Sequence, residues 1–201
     1  MKKGIIGSGG FGREVMGQML DNNPNEEVVF FVSDEYYHDN IKILPLSKFD
    51  PEIYELIVAI GDSNDRERII NSLPSNTKFF TFIHKSVIMF DKIEIGEGSI
   101  ICPNTVLTTN IKIGKHSQLN LLTTIGHDCV IGDFFTTAPG TKISGNCKIG
   151  NRVYFGTLSC SKEKITISDN VIIGLNSGVV KNINEPGVYV GTPAIKIKNK
   201  T

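Results

Sequence analysis

The chain has no tryptophan, only four cysteines and no excess of charge of either sign, and these shortages exclude several classes of protein. Twenty-one basic residues balance twenty-one acidic ones, so neither a nucleic acid nor an anionic membrane is an expected partner. No apolar run approaches the roughly 20 residues that span a bilayer. The cysteines form no CxxC pair, which argues against a zinc site, and we predict that no metal is needed. We therefore expect a soluble cytoplasmic protein.

The C-terminal half contains a six-residue repeat. From residue 89 to residue 179 every sixth residue is apolar, apart from one threonine and one serine. The sixteen positions are Met89, Ile95, Ile101, Leu107, Ile113, Leu119, Ile125, Ile131, Thr137, Ile143, Ile149, Phe155, Ser161, Ile167, Ile173 and Val179. At an apolar content of 40%, chance would supply about six of them. A hexapeptide period predicts a parallel β-helix with three hexads in each coil, or about five coils here.

The first eighty or so residues have a different pattern, in which strand and helix signals alternate. Apolar runs at 3–6, 28–32, 56–60 and 78–82 predict strands, and the segments after Gly12 and at 66–72 predict helices. This alternation is typical of a small parallel, Rossmann-like sheet covered by helices. We place this α/β domain at residues 1–84 and the β-helix, with a C-terminal tail, at residues 85–201.

Four segments of the β-helix region and its tail resemble those of a known family. They are 126–134 (GHDCVIGDF), Pro139-Gly140, Gly145-Asn146 and 191–194 (GTPA). They are similar to the bacterial hexapeptide-repeat sugar acetyltransferases that carry an N-terminal nucleotide-sugar-binding domain. These include sialic acid O-acetyltransferases and N-acetyltransferases of nucleotide-linked 4-amino-4,6-dideoxysugars. The resemblance implies a left-handed β-helix, a homotrimer, and acetyl-coenzyme A bound between subunits.

His127 is the candidate general base, because imidazole titrates near pH 6.5 and can take the proton of an attacking amine or hydroxyl. The hexad pattern places it at an outward-pointing corner of a coil. The resemblance implies that Asp128 orients the ring and that Asn120 lies near the sugar. A solvated surface histidine is the alternative interpretation. His38, His84 and His116 are expected to be structural or solvated.

The resemblance also implies where acetyl-coenzyme A binds. The backbone N–H of Gly145 would hold the acetyl oxygen, and the eighteen-residue spacing places Gly145 one coil above His127. The implied cofactor contacts are Thr136, Gly145, Gly156, Gly174, Thr192 and Pro193. Relatives often have a histidine at the position of Thr136, so this contact departs from the family.

A glycine-rich loop, Gly7-x-Gly9-x-x-Gly12, follows the first strand and precedes the first helix. Free N–H groups and the helix dipole bind phosphate at such a loop. The domain is too short for both halves of a dinucleotide fold, so the pyrophosphate of a nucleotide sugar fits better than NAD. The candidate substrate contacts are Gly7, Ser8, Gly9, Gly10, Phe11, Gly12, Asp34, Gly61, Asp62, Arg66 and Asn120. Asp34, Gly61 and Asp62 would contact the base or ribose, and Arg66 the phosphates. Phe11 replaces a histidine of some relatives. A tight turn without a ligand is the alternative.

These features together predict an enzyme that transfers acetyl from acetyl-coenzyme A to the 4-amino group of a UDP- or dTDP-linked amino-deoxysugar in surface-glycan synthesis. O-acetylation of sialic acid or a related sugar is the alternative within the same family. A non-catalytic trimeric scaffold and an NAD oxidoreductase are the alternatives from other classes.

Overall fold

The computed structural model describes residues 1–37 and 42–199, which form an α/β domain followed by a β-helix. The elements of the first domain are β1 (Lys2–Ile6), α1 (Gly10–Asn22), β2 (Val28–Val32), a 3₁₀ turn (Asp34–Tyr36), β3 (Ile43–Pro45), a second 3₁₀ turn (Leu46–Lys48), β4 (Tyr54–Val58) and α2 (Ser63–Ser72). The four strands form one parallel sheet in the order β3-β2-β1-β4. The predicted Rossmann-like sheet is confirmed.

Two local contacts determine where the helices of this domain begin. The third glycine of the loop, Gly12, lies so close to the carbonyl oxygen of Gly7 that a side chain there would overlap it. This close contact lets α1 pack directly on the sheet. Helix α2 begins three residues earlier than predicted, because the Asp62 carboxylate accepts hydrogen bonds from the N–H groups of Asn64 (2.9 Å) and Asp65 (3.0 Å).

The β-helix is built from short strands, most of them two residues long. In chain order they are β5 (Phe82–Ile83), β6 (Ile88–Met89), β7 (Ile93–Ile95), β8 (Ile100–Ile101), β9 (Val106–Leu107), β10 (Ile111–Ile113), β11 (Gln118–Leu119), β12 (Thr124–Ile125), β13 (Val130–Ile131), β14 (Thr136–Thr137), β15 (Lys142–Ile143), β16 (Lys148–Ile149), β17 (Tyr154–Phe155), β18 (Cys160–Ser161), β19 (Thr166–Ile167), β20 (Val171–Ile173) and β21 (Gly178–Val179).

These strands stack as three parallel faces. Face 1 contains β5, β8, β11, β14, β17 and β20, face 2 contains β6, β9, β12, β15, β18 and β21, and face 3 contains β7, β10, β13, β16 and β19. Paired residues are eighteen apart in sequence, as Thr124 and Lys142 are. The solenoid has about six turns and is consistent with a left-handed β-helix. This is more than the five coils predicted, because β5 begins face 1 before residue 85.

Three corners connect the faces, and each corner contains a residue with positive φ, such as Asp128 at 60° and Asn146 at 59°. The first corner joins face 1 to face 2 and includes residues 120–123, 138–141 and 156–159. The second corner joins face 2 to face 3 and includes 126–129, 144–147 and 162–165. The third corner joins face 3 to the next coil and includes 114–117, 132–135 and 150–153. Asparagine and aspartate tolerate this left-handed conformation better than most residues, which explains their frequency here.

The repeated apolar residues fill the interior of the coils, as predicted. The two polar members of the repeat are also buried. The Thr137 hydroxyl lies 2.8 Å from that of Thr123 and accepts the N–H of Asn120 at 2.9 Å, so it is hydrogen-bonded inside the core. Met89 is an exception, since it is exposed on the first strand of face 2.

Face 1 continues beyond the coils at both ends. The predicted strand at 78–82 divides between the two sheets, because Phe79 makes a single parallel bridge to Leu56 of β4, whereas Phe82 already belongs to β5. At the other end, β22 (Gly187–Val190) pairs with β20, and β23 (Ile195–Lys198) pairs antiparallel with β22. The tail therefore lies along the last coils.

Two of the remaining histidines are structural, and His38 lies outside the described residues. His84 is buried, with Nδ1 2.8 Å from the Ser86 hydroxyl and Nε2 3.1 Å from the Asp21 carboxylate. His116, at a third corner, stacks on the Phe134 ring (centroids 5.4 Å apart). Burial lowers the pKa of His116 to about 4. Its buried Nδ1 has no hydrogen-bond partner in the described part of the chain.

We expect the protein to lose stability between pH 7 and pH 5, because His116 takes up a proton in the unfolded chain but stays neutral in the folded one. His116 should lower the free energy of unfolding by about 1–2 kcal/mol over this range, and partial contact of the ring with water reduces the effect. His116→Phe keeps an aromatic ring on Phe134 and removes the titration. Denaturant unfolding of both proteins at pH 7 and pH 5 measures the difference. An equal pH dependence in the two proteins would contradict this assignment.

Candidate active site

His127 projects from the second corner, between β12 and β13, and its side chain is 57% exposed. Nδ1 lies 2.7 Å from Oδ2 of Asp128, whose Oδ1 accepts a hydrogen bond from the Asn110 amide at 2.6 Å. The pKa of Asp128 lies below its usual value, first because Asn110 donates to the carboxylate and then because His127 does. A carboxylate that is ionised at neutral pH holds the proton on Nδ1 and leaves Nε2 facing outward as an acceptor.

Gly145 lies next to His127 at the same corner, one coil later, as the eighteen-residue spacing predicts. The N–H of Asn146 donates to the carbonyl oxygen of His127 at 2.7 Å. A Cβ placed on Gly145 would lie 2.7 Å from Nε2 of His127. Within residues 1–37 and 42–199, the N–H of Gly145 has no acceptor. The corner thus brings together a basic nitrogen and a free amide donor, which can accept a proton and hold a negatively charged oxygen.

A cavity of about 410 Å³ lies between the N-terminal end of α1 and the first corner. Its walls include five of the predicted site residues, which are Gly10, Phe11, Gly61, Asn120 and Thr136. The cavity is also lined by Glu14, Leu121, Pro139 and Tyr154, which were not among the predicted site residues. Pro139 belongs to a segment that carried the family resemblance, whereas no local pattern identifies the other three.

A second cavity, of about 320 Å³, opens at the carboxyl end of β1 and β2. Gly7 and Ser8 form one wall, and Tyr36, Asp65 and Arg68 contribute to others. Ligands of parallel α/β sheets bind at this edge. Tyr36, Asp65 and Arg68 were missed because they come from a turn and from the surface of α2.

Asp34 and Asp62, which were predicted to contact the base or ribose, line neither of these two cavities. The Asp34 carboxylate accepts the N–H of Ser47 at 3.2 Å, and Asp62 caps α2. Both carboxylates therefore accept hydrogen bonds from backbone N–H groups of the protein itself. Gly9 has open space around it, which a ligand can approach, whereas Gly12 lies on the buried face of α1, against the carbonyl group of Gly7.

The prediction that Arg66 binds phosphate is wrong. The side chain is fully buried, and its guanidinium donates to four backbone carbonyls and one hydroxyl. The acceptors are the carbonyl oxygens of Ile60, Gly61, His116 and Phe134 and the hydroxyl of Thr136. The Thr136 hydroxyl therefore accepts a hydrogen bond from Arg66, and the contact between Thr136 and the cofactor stays a prediction.

The structure does not bring all of the predicted site residues together within one chain. His127, Asp128 and Gly145 lie at the second corner. Asn120 lies at the first corner, where Gly156 and Gly174 also follow strands of face 1. The tail packs on face 2 of the last coil, as the contact between Thr192 and the Gly178 position shows. Pro193 follows Thr192 through a cis peptide bond. One chain therefore carries the predicted site residues in separate groups, at two corners of the triangle.

A β-helix with an oriented imidazole beside a free backbone amide, joined to a sheet with a glycine-rich loop, defines a hexapeptide-repeat acyltransferase. Residues 4–73 match the PglD N-terminal domain family. The chain is 30% identical over 173 residues to the GDP-perosamine N-acetyltransferase of Escherichia coli O157:H7, and the match covers 81% of this chain and 78% of the relative.

Solved structures give the same result. WeeI from Acinetobacter baumannii AYE has a TM-score of 0.90 and 31% identity, over 98% of this chain and 100% of that chain. The acetyltransferase domain of PglB from Neisseria gonorrhoeae FA1090, in complex with acetyl coenzyme A, has a TM-score of 0.87 over 98% of each chain. At 24% identity it shows the fold alone. The chain belongs to the hexapeptide-repeat sugar acetyltransferases with a PglD-type N-terminal domain. The predicted family and enzyme class are confirmed.

Neither a membrane-spanning helix nor a metal-binding cluster occurs among the described residues. None of the helices found there has the length and apolar character needed to cross a bilayer. The same residues contain no group of three or more histidine, cysteine, aspartate or glutamate side chains placed to hold a metal ion.

We expect Gly145→Ala to lower kcat by about a hundredfold, because the added Cβ displaces the His127 ring and crowds the free amide. Stability should change little, since the Gly145 backbone is not left-handed. Coenzyme A release from acetyl-coenzyme A, in the presence of an acceptor, measures the rate. Gly17→Ala is the matched control, because a Cβ on that helical residue meets nothing within 4 Å. An unchanged kcat for Gly145→Ala would show that turnover does not depend on the close packing of the His127 ring against Gly145.

Proposed function

We propose that this protein transfers acetyl from acetyl-coenzyme A to the 4-amino group of a nucleotide-linked amino-deoxysugar, with His127 as the general base. The observation that carries the proposal is the contact between Nδ1 of His127 and the Asp128 carboxylate, which leaves Nε2 as the proton acceptor beside Gly145. N-acetylation is favoured over O-acetylation because the Escherichia coli relative is a GDP-perosamine N-acetyltransferase. Because this relative is named for a GDP-linked sugar, GDP joins UDP and dTDP as a candidate nucleotide carrier.

The two cavities fit the two ends of a nucleotide sugar. The glycine-rich loop separates them, with Gly7 and Ser8 lining one and Gly10 and Phe11 lining the other. A nucleotide sugar laid across the loop places its base at the sheet edge, its pyrophosphate at the N-terminus of α1, and its sugar beside Asn120. The first turn of α1 contains no acidic residue that would oppose the pyrophosphate charge.

The Asn120 side chain is oriented for this role. Its Oδ1 accepts the N–H of Leu121 at 2.8 Å, which leaves the amide NH₂ as a hydrogen-bond donor toward the cavity. A sugar hydroxyl is a suitable acceptor for such a group.

A homotrimer completes the site in this proposal. The sugar cavity lies at the first corner and His127 lies at the second, so a neighbouring subunit must supply the imidazole. Two exposed apolar side chains at the first corner, Leu122 and Leu158, and one on β13 directly after the second corner, Val130, fit burial between subunits. Acetyl-coenzyme A would then lie between Gly145 of one chain and Gly156, Gly174, Thr192 and Pro193 of the next.

The reaction follows from these positions. Acetyl-coenzyme A supplies a thioester carbonyl as the electrophile. As the sugar nitrogen forms its bond to the carbonyl carbon, Nε2 of His127 takes the proton from nitrogen. Asp128 stabilises the resulting imidazolium, and the N–H of Gly145 donates to the oxygen on which negative charge develops. The carbon–sulfur bond breaks, and coenzyme A leaves as the thiolate.

We expect His127→Ala to lower kcat by about 10²–10⁴-fold, because the proton acceptor is lost. The melting temperature should stay near that of the wild type, since the imidazole is more than half exposed. Asn110→Gly is the matched variant: glycine keeps the left-handed backbone of this position, so the change removes the hydrogen bond that supports Asp128 and should lower kcat by about tenfold or less. A correctly assembled His127→Ala protein with full turnover would refute the assignment of the base.

The acceptor is identified with a panel of GDP-, UDP- and dTDP-linked sugars, each carrying a 4-amino or a 4-hydroxy group. Mass spectrometry should show one added acetyl group on a 4-amino sugar and none on its 4-hydroxy counterpart. Acetylation of free sialic acid, without acetylation of any amino sugar, would replace the proposal with O-acetylation. As part of this proposal, the enzyme acts in the cytoplasm on a precursor of a surface glycan.

A further inference from the structure

Arg66 is a buried cation that joins the two domains. Its Nε donates to the carbonyl of His116 at 3.0 Å. Nη1 donates to Ile60 at 2.6 Å and Gly61 at 3.3 Å, and Nη2 donates to Phe134 at 2.9 Å and the Thr136 hydroxyl at 2.8 Å. All five N–H groups of the guanidinium are therefore used.

These five hydrogen bonds offset part of the free energy needed to bury the charged guanidinium group. Burial lowers the pKa of Arg66 to about 9, and the nearby Asp62 carboxylate partly offsets the effect, so the side chain is still charged at neutral pH. No carboxylate in the described residues forms an ion pair with it. A well-packed apolar side chain would fill the same space without desolvating a charge. Only a planar group with five donors, however, can bind five acceptors from both domains at once.

Two of the five acceptors of Arg66 line the sugar cavity, one from each domain. Ile60 and Gly61 follow β4 in the α/β domain, whereas Phe134 and Thr136 belong to the β-helix. Gly61 and Thr136 both line the cavity of about 410 Å³, on opposite sides of the domain boundary. A neighbouring hydrogen bond also joins the two domains: the buried Gln118 amide donates to the carbonyl of Val58 at 2.9 Å.

We propose that Arg66 is a positioning residue for the nucleotide sugar, which fixes the distance between the domain that holds the nucleotide and the β-helix wall that holds the sugar. This inference rests on the proposed function. Gly145 and His127, at the second corner, make no contact with Arg66. Loss of Arg66 should therefore weaken binding of the whole nucleotide sugar, but not of acetyl-coenzyme A or of the bare nucleotide.

The test compares Arg66→Met, Arg66→Lys and Thr136→Val with the wild type. Arg66→Met should raise the KM for the nucleotide sugar by about tenfold or more. Arg66→Lys should raise this KM less, because lysine keeps a charged hydrogen-bond donor. Thr136→Val removes one acceptor at nearly constant shape, and we expect an increase of about two- to fivefold. The KM for acetyl-coenzyme A should stay within about twofold of the wild type in all three.

Glu67→Gln is the matched control. The Glu67 carboxylate lies 3.3 Å from Arg152 and also links α2 to the β-helix, but neither residue lines the sugar cavity. This variant weakens a link between the same two domains and should leave both KM values unchanged. An equal rise in the nucleotide-sugar KM would show that any loosening of the boundary suffices, and it would overturn the specific role of Arg66.

A binding measurement separates this inference from the proposed reaction. Calorimetric titration with GDP or UDP, and with a sugar linked to each, gives the ratio of the two dissociation constants without turnover. Arg66→Met should weaken the nucleotide sugar about tenfold relative to the bare nucleotide. An unchanged ratio of these dissociation constants in Arg66→Met would overturn the proposal. If Arg66→Met does not fold, the same comparison is made with Thr136→Val. A wild type that binds these sugars without acetylating them would refute only the reaction, whereas no binding would refute both.

Discussion

Parallel hydrogen bonding between residues eighteen apart is the constraint on which the rest of this structure depends. It places each side chain of one coil beside its counterpart in the next, with little freedom to slip. At the second corner, this stacking sets Asn110 under Asp128 and Gly145 beside His127. The orientation of the imidazole is thus a property of the backbone repeat, and the apolar interior that drives the repeat also fixes the chemistry on its surface.

The boundary between the domains is held by polar contacts as well as by packing. Arg66 and Gln118 reach across it to backbone carbonyls, and the chain itself passes from the edge of one sheet into face 1 of the β-helix. A backbone carbonyl accepts hydrogen bonds in a fixed direction, so these contacts define a distance and an angle between the domains. Apolar contacts alone are less directional, and they would allow the cavity between α1 and the first corner to vary in width.

Much of this was predictable because it follows from local spacing. The hexads predicted the coils, and an interval of one coil predicted that Gly145 lies beside His127. The glycine loop predicted the turn into α1. The role of Arg66 was not predictable in the same way. It lies on the first turns of a helix beside Asp62, where an arginine usually faces solvent, and three of its acceptors are 50 to 70 residues away in sequence. The divided strand at 78–82 was missed for a similar reason, since its apolar pattern is the same in either sheet.

In the proposed trimer, the division of the site between two corners gives assembly a chemical role. A triangular coil presents its corners outward, so the proposed base at one corner and the proposed sugar cavity at another do not converge within one chain. In this proposal, convergence depends on two separate alignments: one between domains, held by Arg66, and one between subunits, held by apolar corners such as that of Leu158. The rigid stack of coils transmits both alignments to the same place, because its faces cannot bend without breaking the ladder that joins each coil to the next.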